Sequence, residues 1–176
     1  MYKGYSKLSV KEFHEYRMQW NALVHATVAT LNSIYCIFYT CGDNKTFFND
    51  ETCRLYPRNS HVWACHFTAA YLFTETVWIL VKVGVHDTID KQTLAHHLMG
   101  FITYYIAFWE QDFTITIGAA FIFIEISTPF VCSRWILFHH GYKGSIAQAI
   151  NSAFLFVSFI FGRIPMQLYL FFGFAL

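Results

Sequence analysis

Charged residues are scarce in this chain of 176 residues. Asp, Glu, Lys and Arg make up 13% of it, against about 25% in an average soluble domain. Hydrophobic residues make up 56%, and 20% of the chain is aromatic. A soluble core of this size has too little volume to bury so much apolar surface. The composition therefore predicts an integral membrane protein and argues against a very hydrophobic soluble domain.

Several other features are also lacking. The sequence contains no glycine-rich phosphate loop, and a net charge of +1 without a basic cluster argues against nucleic-acid binding. No spacing of cysteine and histidine matches a structural zinc site, so we expect no metal. The N-terminus lacks the apolar core of a signal peptide, and its lysines disfavour a mitochondrial presequence. The chain also has no repeats or low-complexity tracts. We therefore expect one transmembrane domain over residues 17–176, preceded by a polar, basic segment over residues 1–16.

Apolar runs of membrane-spanning length recur along the chain. They predict an all-α bundle of about five transmembrane helices, preceded by a segment with Phe13 and Tyr16 at the lipid boundary. The apolar stretch after Pro165 is too short to cross a membrane alone, so it is either an incomplete sixth span or a continuation of the fifth. The predicted spans are residues 18–39, 61–85, 91–109, 113–138 and 145–162.

The fourth span contains polar residues in an otherwise apolar run. Glu125 and Arg134 each cost about 2.5–3.5 kcal/mol at the bilayer centre on insertion scales, so such groups usually face a bundle interior. Pro129 removes a backbone donor, which predicts a kink there. The hydroxyl of Thr128 is placed to satisfy a freed backbone group. On a helix, Glu125, Thr128, Pro129 and Cys132 share one face.

The loop after the first span contains two cysteines, Cys41 and Cys53. They form a disulfide if the loop faces an oxidising compartment, and free thiols are the alternative, because spacing alone does not show that their Cα atoms approach. The three other cysteines lie in spans and are expected to be small packing residues. They are Cys36, Cys65 and Cys132.

The distribution of Lys and Arg predicts the orientation. One side receives Lys3, Lys7, Lys11, Arg17, Lys82, Lys91 and Lys143. The other side receives Lys45, Arg54 and Arg58, offset by the acids of the same loop and by the acidic turn at residues 110–112. We therefore expect the N-terminus on the cytosolic side of the endoplasmic reticulum or the matrix side of the mitochondrial inner membrane.

Ionisable and polar groups recur within the other spans too. Each is costly alone in a bilayer, and together they can form one network at the bundle centre. We interpret His66 in the second span as a packing or interface residue. The same holds for His139 and His140 in the loop after the fourth span. The predicted lipid pocket and polar network consists of His25, Glu75, Tyr104, Glu125, Thr128, Arg134 and Arg163, beside the adjacent His96 and His97.

These residues carry a family resemblance. The run E-I-S-T-P-F-V-C-S-R-W-I-L, preceded by His96-His97, closely resembles the TLC-domain family, which includes the ceramide synthases. Trp20 with His25, A-Y-L-F-T-E ending at Glu75, and F-I-F-G-R ending at Arg163 match in the same order. The resemblance covers residues 20–163 and is strongest to small TLC-domain proteins of uncharacterised activity.

The sequence also departs from the family pattern. The second-span motif usually reads G-Y followed by an Asp, whereas here Ala70-Tyr71 leads to Glu75, and Cys132 stands where an Asn is common. An N-terminal span that many relatives carry is missing, and so is the longer acidic synthase motif. The H-D-x-x-D run at residues 86–90 precedes the histidine pair, so we interpret it as a coincidence. The absence of the longer acidic motif argues against acyl-CoA-dependent ceramide synthesis.

The resemblance implies acyl transfer at the adjacent histidines. A buried imidazole can accept a proton from a nucleophile or carry an acyl group. Neighbouring side chains on a helix diverge by about 100°, and we expect His97 to face the centre and approach Glu125. The alternative is a polar latch that holds helices in register. Both alternatives stay open for His96, His97 and Glu125, while His25, Glu75 and Arg163 favour the structural role.

Two functions follow. The first is a membrane protein that binds or handles lipid, with acyl-lipid chemistry at the histidine pair left open. The second is a non-catalytic accessory subunit of a larger membrane complex that retained the TLC fold. We expect membrane lipids as partners, with other membrane subunits in the second case, no nucleic acid, and no cofactor beyond a bound phospholipid or acyl lipid.

Overall fold

The computed structural model describes residues 9–42, 44–85, 88–110 and 113–173. Over these ranges the chain is helical and contains no β-strand, which confirms the all-α prediction. The α-helices are α1 Val10–Phe38, α2 Glu51–Leu55, α3 Asn59–Trp78, α4 Thr88–Glu110, α5 Phe113–Phe121, α6 Thr128–His139, α7 Ile146–Val157 and α8 Ile164–Phe172.

Four helical stretches in the described part of the chain are long and apolar enough to cross a membrane. This finding supports the prediction of a membrane protein. Helix α4 has 23 residues but contains the polar histidine pair, and it is not among the four. A total of about five spans therefore stays a prediction. The four stretches are Val10–Phe38, Asn59–Lys82, Phe113–His139 and Ile146–Phe172.

The last span runs without a break past Pro165. A π-helical turn, Ser158–Arg163, joins α7 to α8. Pro165 lies in the first turn of α8, where its fixed φ suits the helix. The residues after Pro165 therefore continue the fifth predicted helix and do not form a separate sixth one.

The preceding span changes its helix geometry directly before Pro129. Between α5 and α6 the chain tightens into a 3₁₀-helix, Ile122–Ser127. Pro129 then lies in the first turn of α6, a position that suits its fixed φ and its missing donor. The change of helix type is observed, and a kink angle at Pro129 stays a prediction.

Packing divides the chain into two compact units. The central unit is Ala29–Phe123, and the terminal unit combines Met1–Val28 with Ile124–Leu176. The division into a polar segment over residues 1–16 and one transmembrane domain stays a prediction. The first eight residues of that segment lie outside the described residues, as do the start of the H-D-x-x-D run and the end of the acidic turn at residues 110–112.

In the central unit, α3 packs against α4 and α5. Small side chains at Ala29, Ala64 and Ala119 are buried in its core, which allows helices to approach closely. The hydroxyl of Ser33 on α1 donates to the carbonyl oxygen of Ala119 on α5, 2.7 Å away. A buried hydrogen bond thus reinforces an interface of small residues.

In the terminal unit, α6 packs against α7. The side-chain amide of Asn151 donates to the carbonyl oxygen of Phe130 at 2.8 Å. The rings of Phe130 and Phe154 stack with centroids 5.6 Å apart. One polar and one aromatic contact therefore fix this helix pair at the level of the proline.

The start of the first helix corrects a prediction. Helix α1 begins at Val10, and Tyr16 is only 5% exposed instead of lying at a lipid boundary. Its hydroxyl lies 2.9 Å from Nε2 of His140, and its ring contacts those of Trp135 and His139. A tyrosine can be buried when its hydroxyl finds a hydrogen-bond partner, which His140 supplies here.

Candidate functional site

The adjacent histidines of α4 lie in different environments. His97 is 8% exposed, whereas His96 is exposed. The angular step of about 100° between helical neighbours accounts for this divergence. The ring of His97 lies edge-on to Tyr71 of α3, with centroids 6.0 Å apart. The structure thus brings one histidine of the pair into the interface between α3 and α4.

Polar side chains recur along the buried stripe of α3. Thr68, Leu72, Glu75 and Thr76 are buried at the spacing of one helix face. The hydroxyl of Thr76 donates to the carbonyl oxygen of Leu72 in its own helix, 2.7 Å away. Glu75 therefore places a carboxyl group on the same buried face as Thr68, within the unit that contains His97.

Several buried polar atoms of the central unit make no hydrogen bond to any residue that the structure describes. They include Nδ1 of His97 on α4 and the hydroxyl oxygens of Thr68 on α3 and Thr116 on α5. A buried donor or acceptor without a partner costs about 1–3 kcal/mol. Native proteins keep few such groups, and an unseen ligand or water is a usual reason for one.

Tyr104 lies two turns after His97 on the same face of α4 and packs against α5. A Cβ added at Gly118 would come within 3.6 Å of Cε1 of Tyr104 and 3.2 Å of Sγ of Cys65. The glycine therefore lets α5 approach both α3 and α4. The thiol of Cys65 donates to the carbonyl oxygen of Ile115 at 3.5 Å, consistent with its interpretation as a packing residue.

The terminal unit holds the acidic part of the predicted network. The hydroxyl of Thr128 donates to Oε2 of Glu125 at 2.5 Å, instead of to a freed backbone group as expected. The carboxyl group lies three residues earlier on the chain, within reach of this hydroxyl on the same helical face. Pro129 directly follows this pair.

Two arginines of the terminal unit differ in their surroundings. Arg163 donates from a guanidinium nitrogen to Oγ of buried Ser127 at 3.2 Å. Arg134 is exposed, and its guanidinium lies 5.6 Å from the ring centroid of Phe138 on the same helix. His25 is buried on α1. Only Arg163 of the two arginines therefore has a buried polar partner among the described residues.

The predicted network is distributed over both units. The histidine pair, Glu75 and Tyr104 belong to the central unit, and the remaining members belong to the terminal unit. Their convergence, the approach of His97 to Glu125, and a catalytic role of the histidines stay predictions. In the described part of the chain, no group of three His, Cys, Asp or Glu is placed to hold a metal ion.

Sequence reasoning assigned no contact to two polar residues of the terminal unit, Ser127 and Asn151. Ser127 is buried and accepts from Arg163, while Asn151 donates to a backbone carbonyl. The S-T-P run held a usable indication, since a small polar residue beside a proline in an apolar span has few roles other than hydrogen bonding. Asn151 was visible as an isolated amide in a Phe-rich span.

The loop between α1 and α3 is held by a disulfide. Cys41 and Cys53 are bonded, with Cα atoms 5.4 Å apart, within the usual range for such bridges. Asp50 caps α2 by accepting from the backbone N–H of Cys53 at 3.0 Å. The hydroxyl of Thr52, then the ammonium of Lys45, and then this N–H hold the pKa of Asp50 well below its ordinary value.

Comparison with known proteins decides the family. A family model described as the TLC domain matches residues 17–175. The chain belongs to the TLC domain family. The resemblance carried by the histidine pair and by the S-T-P-F…R-W run is therefore confirmed.

Individual TLC-domain relatives are 25% to 30% identical to this chain over the aligned residues. TLC domain-containing protein 4-B of Xenopus laevis is 25% identical over 93% of the chain. An uncharacterized TLC domain-containing protein of Schizosaccharomyces pombe is 30% identical over 91% of the chain. The chain spans 59% and 51% of these relatives' lengths, respectively. No solved structure matches it.

Proposed function

We propose that this TLC-domain protein binds a phospholipid or acyl lipid, with the polar ester of the lipid beside His97. The observation that supports this proposal is the buried imidazole whose Nδ1 makes no hydrogen bond to a described residue. An ester, hydroxyl or bridging water of a bound lipid gives this nitrogen a partner and removes its desolvation cost. The proposal involves no cofactor.

Apolar surface for the lipid chain lies on the same helices. Leu98, Met99 and Ile102 of α4 are exposed, as is Phe73 of α3. The ring of Phe73 lies 5.3 Å from that of Phe101, so the two helices share an aromatic surface. An acyl chain on this surface buries apolar area at about 25 cal/mol per Å², while the polar end reaches the histidine pair.

Acyl transfer at His96 and His97 is a further part of the proposal. An imidazole in its neutral form can accept a proton from an attacking hydroxyl or amine. His96, which is exposed, is accessible to a second substrate. We place lipid binding first, and turnover is not needed for it.

Native mass spectrometry of the protein purified in mild detergent tests the binding. We expect wild type to retain a lipid, and His97→Gln to lose most of it, because glutamine does not reproduce the imidazole geometry. His66→Gln, an exposed position on α3, is the matched control and should retain the lipid. Absence of lipid in wild type, or equal retention in His97→Gln, would contradict the proposal.

The disulfide and the charged loops support a topology. We propose that residues 41–58 face an oxidising compartment, because disulfides persist there, and that the N-terminus faces the cytosol or the matrix. The endoplasmic reticulum and the mitochondrial inner membrane both meet this condition. A glycosylation acceptor placed after Asn49 tests the first location, since it is modified only in the lumen.

An accessory subunit is the alternative function, and one observation favours it. The span Ile146–Phe172 is the least covered of the four within the structure. Its exposed rings offer a surface to lipid or to another subunit, and they include Phe154, Phe156, Phe161 and Phe171. Stable co-purification of other membrane proteins in mild detergent supports this alternative, and a lone monomer contradicts it.

A further inference from the structure

A shallow polar groove lies in the central unit, where α1 ends and α3 begins. Its volume is about 480 Å³. It is separate from the residues around His97, and none of the lining residues belongs to the predicted polar network. The lining includes Tyr35, Tyr39, Thr40, Arg58, Asn59 and Ser60.

The charge of the groove favours an anion. Arg58 is the one charged residue among those that line it, and it is exposed. Guanidinium groups bind phosphate oxygens in a bidentate manner. Arg58 also directly precedes α3, whose first N–H groups have no partner within the helix and attract negative charge.

The position of Arg58 is fixed by a buried side chain. The backbone N–H of Arg58 donates to Nδ1 of His61, 3.0 Å away, and His61 is almost fully buried. On the other side of the groove, the hydroxyl of Thr40 donates to the carbonyl oxygen of Cys36 at 2.8 Å. The next residue, Cys41, is held by the disulfide. Both walls are therefore anchored to the fold.

The groove lies at the end of two helices that are long and apolar enough to span a membrane, α1 and α3. The rings of Tyr35 and Tyr39 stack with centroids 6.3 Å apart and are 52% and 70% exposed. Exposed tyrosines at the ends of spans lie at the level of the lipid headgroups. The groove therefore meets the membrane surface at headgroup depth.

We propose that this groove binds the phosphate of a phospholipid headgroup, with Arg58 as the cationic partner and the tyrosines against the glycerol region. A single cation beside exposed aromatic rings suits a phosphate esterified to glycerol better than free inorganic phosphate, because the rings contact the glycerol region that inorganic phosphate lacks. The inference does not rest on lipid binding at His97, since the residues are different.

Titration of the full chain in an uncharged detergent tests the proposal. Short-chain phosphatidic acid, short-chain diacylglycerol and inorganic phosphate are the three probes, with tyrosine and tryptophan fluorescence as the readout. We expect phosphatidic acid to bind at least tenfold more tightly than either other probe, and added salt to weaken it. Arg58→Gln should lower the affinity tenfold or more, and Arg58→Lys should restore part of it.

Matched variants separate the groove from general charge effects and from the histidine site. Arg54→Gln removes an equal charge from α2, where Arg54 donates to the carbonyl oxygen of Phe48 and does not line the groove, so it should bind as wild type does. The loss of affinity caused by Arg58→Gln should also persist in a His97→Gln background, because the two sites share no residue. The unfolding temperature shows whether Arg58→Gln folds. If it does not, the affinities of Tyr39→Phe and Arg58→Lys for phosphatidic acid are compared with that of wild type.

Three results would overturn the proposal. Equal affinity for diacylglycerol would show an apolar contact without a phosphate site. Inorganic phosphate binding as tightly as phosphatidic acid would indicate a soluble-anion site. Unchanged affinity for phosphatidic acid in a folded Arg58→Gln variant would show that Arg58 is not part of the binding site.

Discussion

The guanidinium of Arg163 donates to Oγ of Ser127 across 3.2 Å, linking the π-helical turn of the last span to the 3₁₀-helix before Pro129. Both segments depart from α-helical geometry, Ser158–Arg163 and Ile122–Ser127. Backbone of this kind leaves polar groups that a bilayer cannot satisfy, so side chains must do so. The hydrogen bond therefore lies where the helices of the terminal unit are least regular.

Ser127→Ala should destabilise the protein by about 1 kcal/mol. Hydrogen bonds to charged groups contribute about 1.5–3 kcal/mol in soluble proteins, whereas polar contacts in membranes average about 0.6 kcal/mol. The contact of Ser127 with Arg163 involves a charged group and lies in a membrane span, so we expect a value between these two. Unfolding in detergent measures the loss, and a double-mutant cycle with Arg163→Met isolates the pair. Arg134→Met, at an exposed position, is the control. Additive effects of the two substitutions would show that the pair is not coupled.

Tyr16 should contribute mainly through its ring. Tyr16→Phe removes only the hydroxyl contact with His140 and should cost about 1 kcal/mol. Tyr16→Ala also empties a buried site against Trp135 and His139, and removal of a buried aromatic side chain costs about 3–5 kcal/mol. Thermal unfolding in detergent compares the two variants. Equal, small effects of the two substitutions would contradict the burial of the Tyr16 ring and would favour a position at the lipid boundary.

The disulfide should stabilise the loop and shield its thiols. Closure of a loop of about this length contributes about 3 kcal/mol, and the bridge joins residues 12 apart in sequence. We expect Cys41→Ser to lower the unfolding temperature and wild type to react with maleimide at Cys41 and Cys53 only after reduction. Cys132→Ser, a free buried cysteine, tests for nonspecific effects of losing a thiol. Labelling of Cys53 without reductant would contradict the bridge.

The cap of α2 should weaken in acid. The folded state holds the pKa of Asp50 below its ordinary 3.8, so the unfolded state binds a proton more readily and acid favours unfolding. The stabilisation of the folded state by the Asp50 carboxylate is therefore complete above pH about 4, and it declines as the pH falls toward the lowered pKa of Asp50. Hydrogen exchange at the Cys53 amide, corrected for intrinsic rates, should approach that of Asp50→Asn only below pH about 4. Equal exchange at pH 7 would show that the carboxylate does not hold the cap.

Four of the five predicted spans and the family followed from the sequence, because long apolar runs and the family's motifs do not depend on tertiary contacts. The burial of Tyr16 did not follow, since it depends on residues more than a hundred positions away, such as Trp135. The exposure of Arg134 was also missed. A charged residue in an apolar run is expected to face inward, yet this one lies over Phe138 near the end of its helix.

The π-helical and 3₁₀ segments were likewise beyond prediction. Only Pro129 marked an irregularity in its span, and it indicated a kink without specifying that the six residues before Thr128 form a 3₁₀-helix. Such geometry depends on which side chains, here Ser127 and Thr128, satisfy the local polar groups. Hydropathy and periodicity contain no information on that choice.

Photo-crosslinking with a diazirine-labelled fatty acid incorporated into membrane lipid shows where the lipid lies on the protein. We expect adducts on peptides from α3 and α4 around Tyr71 and Phe101, at a level that falls severalfold in His97→Leu and is unchanged in His66→Leu. Adducts spread evenly over all exposed helices, with no effect of His97→Leu, would contradict a lipid site at the buried histidine.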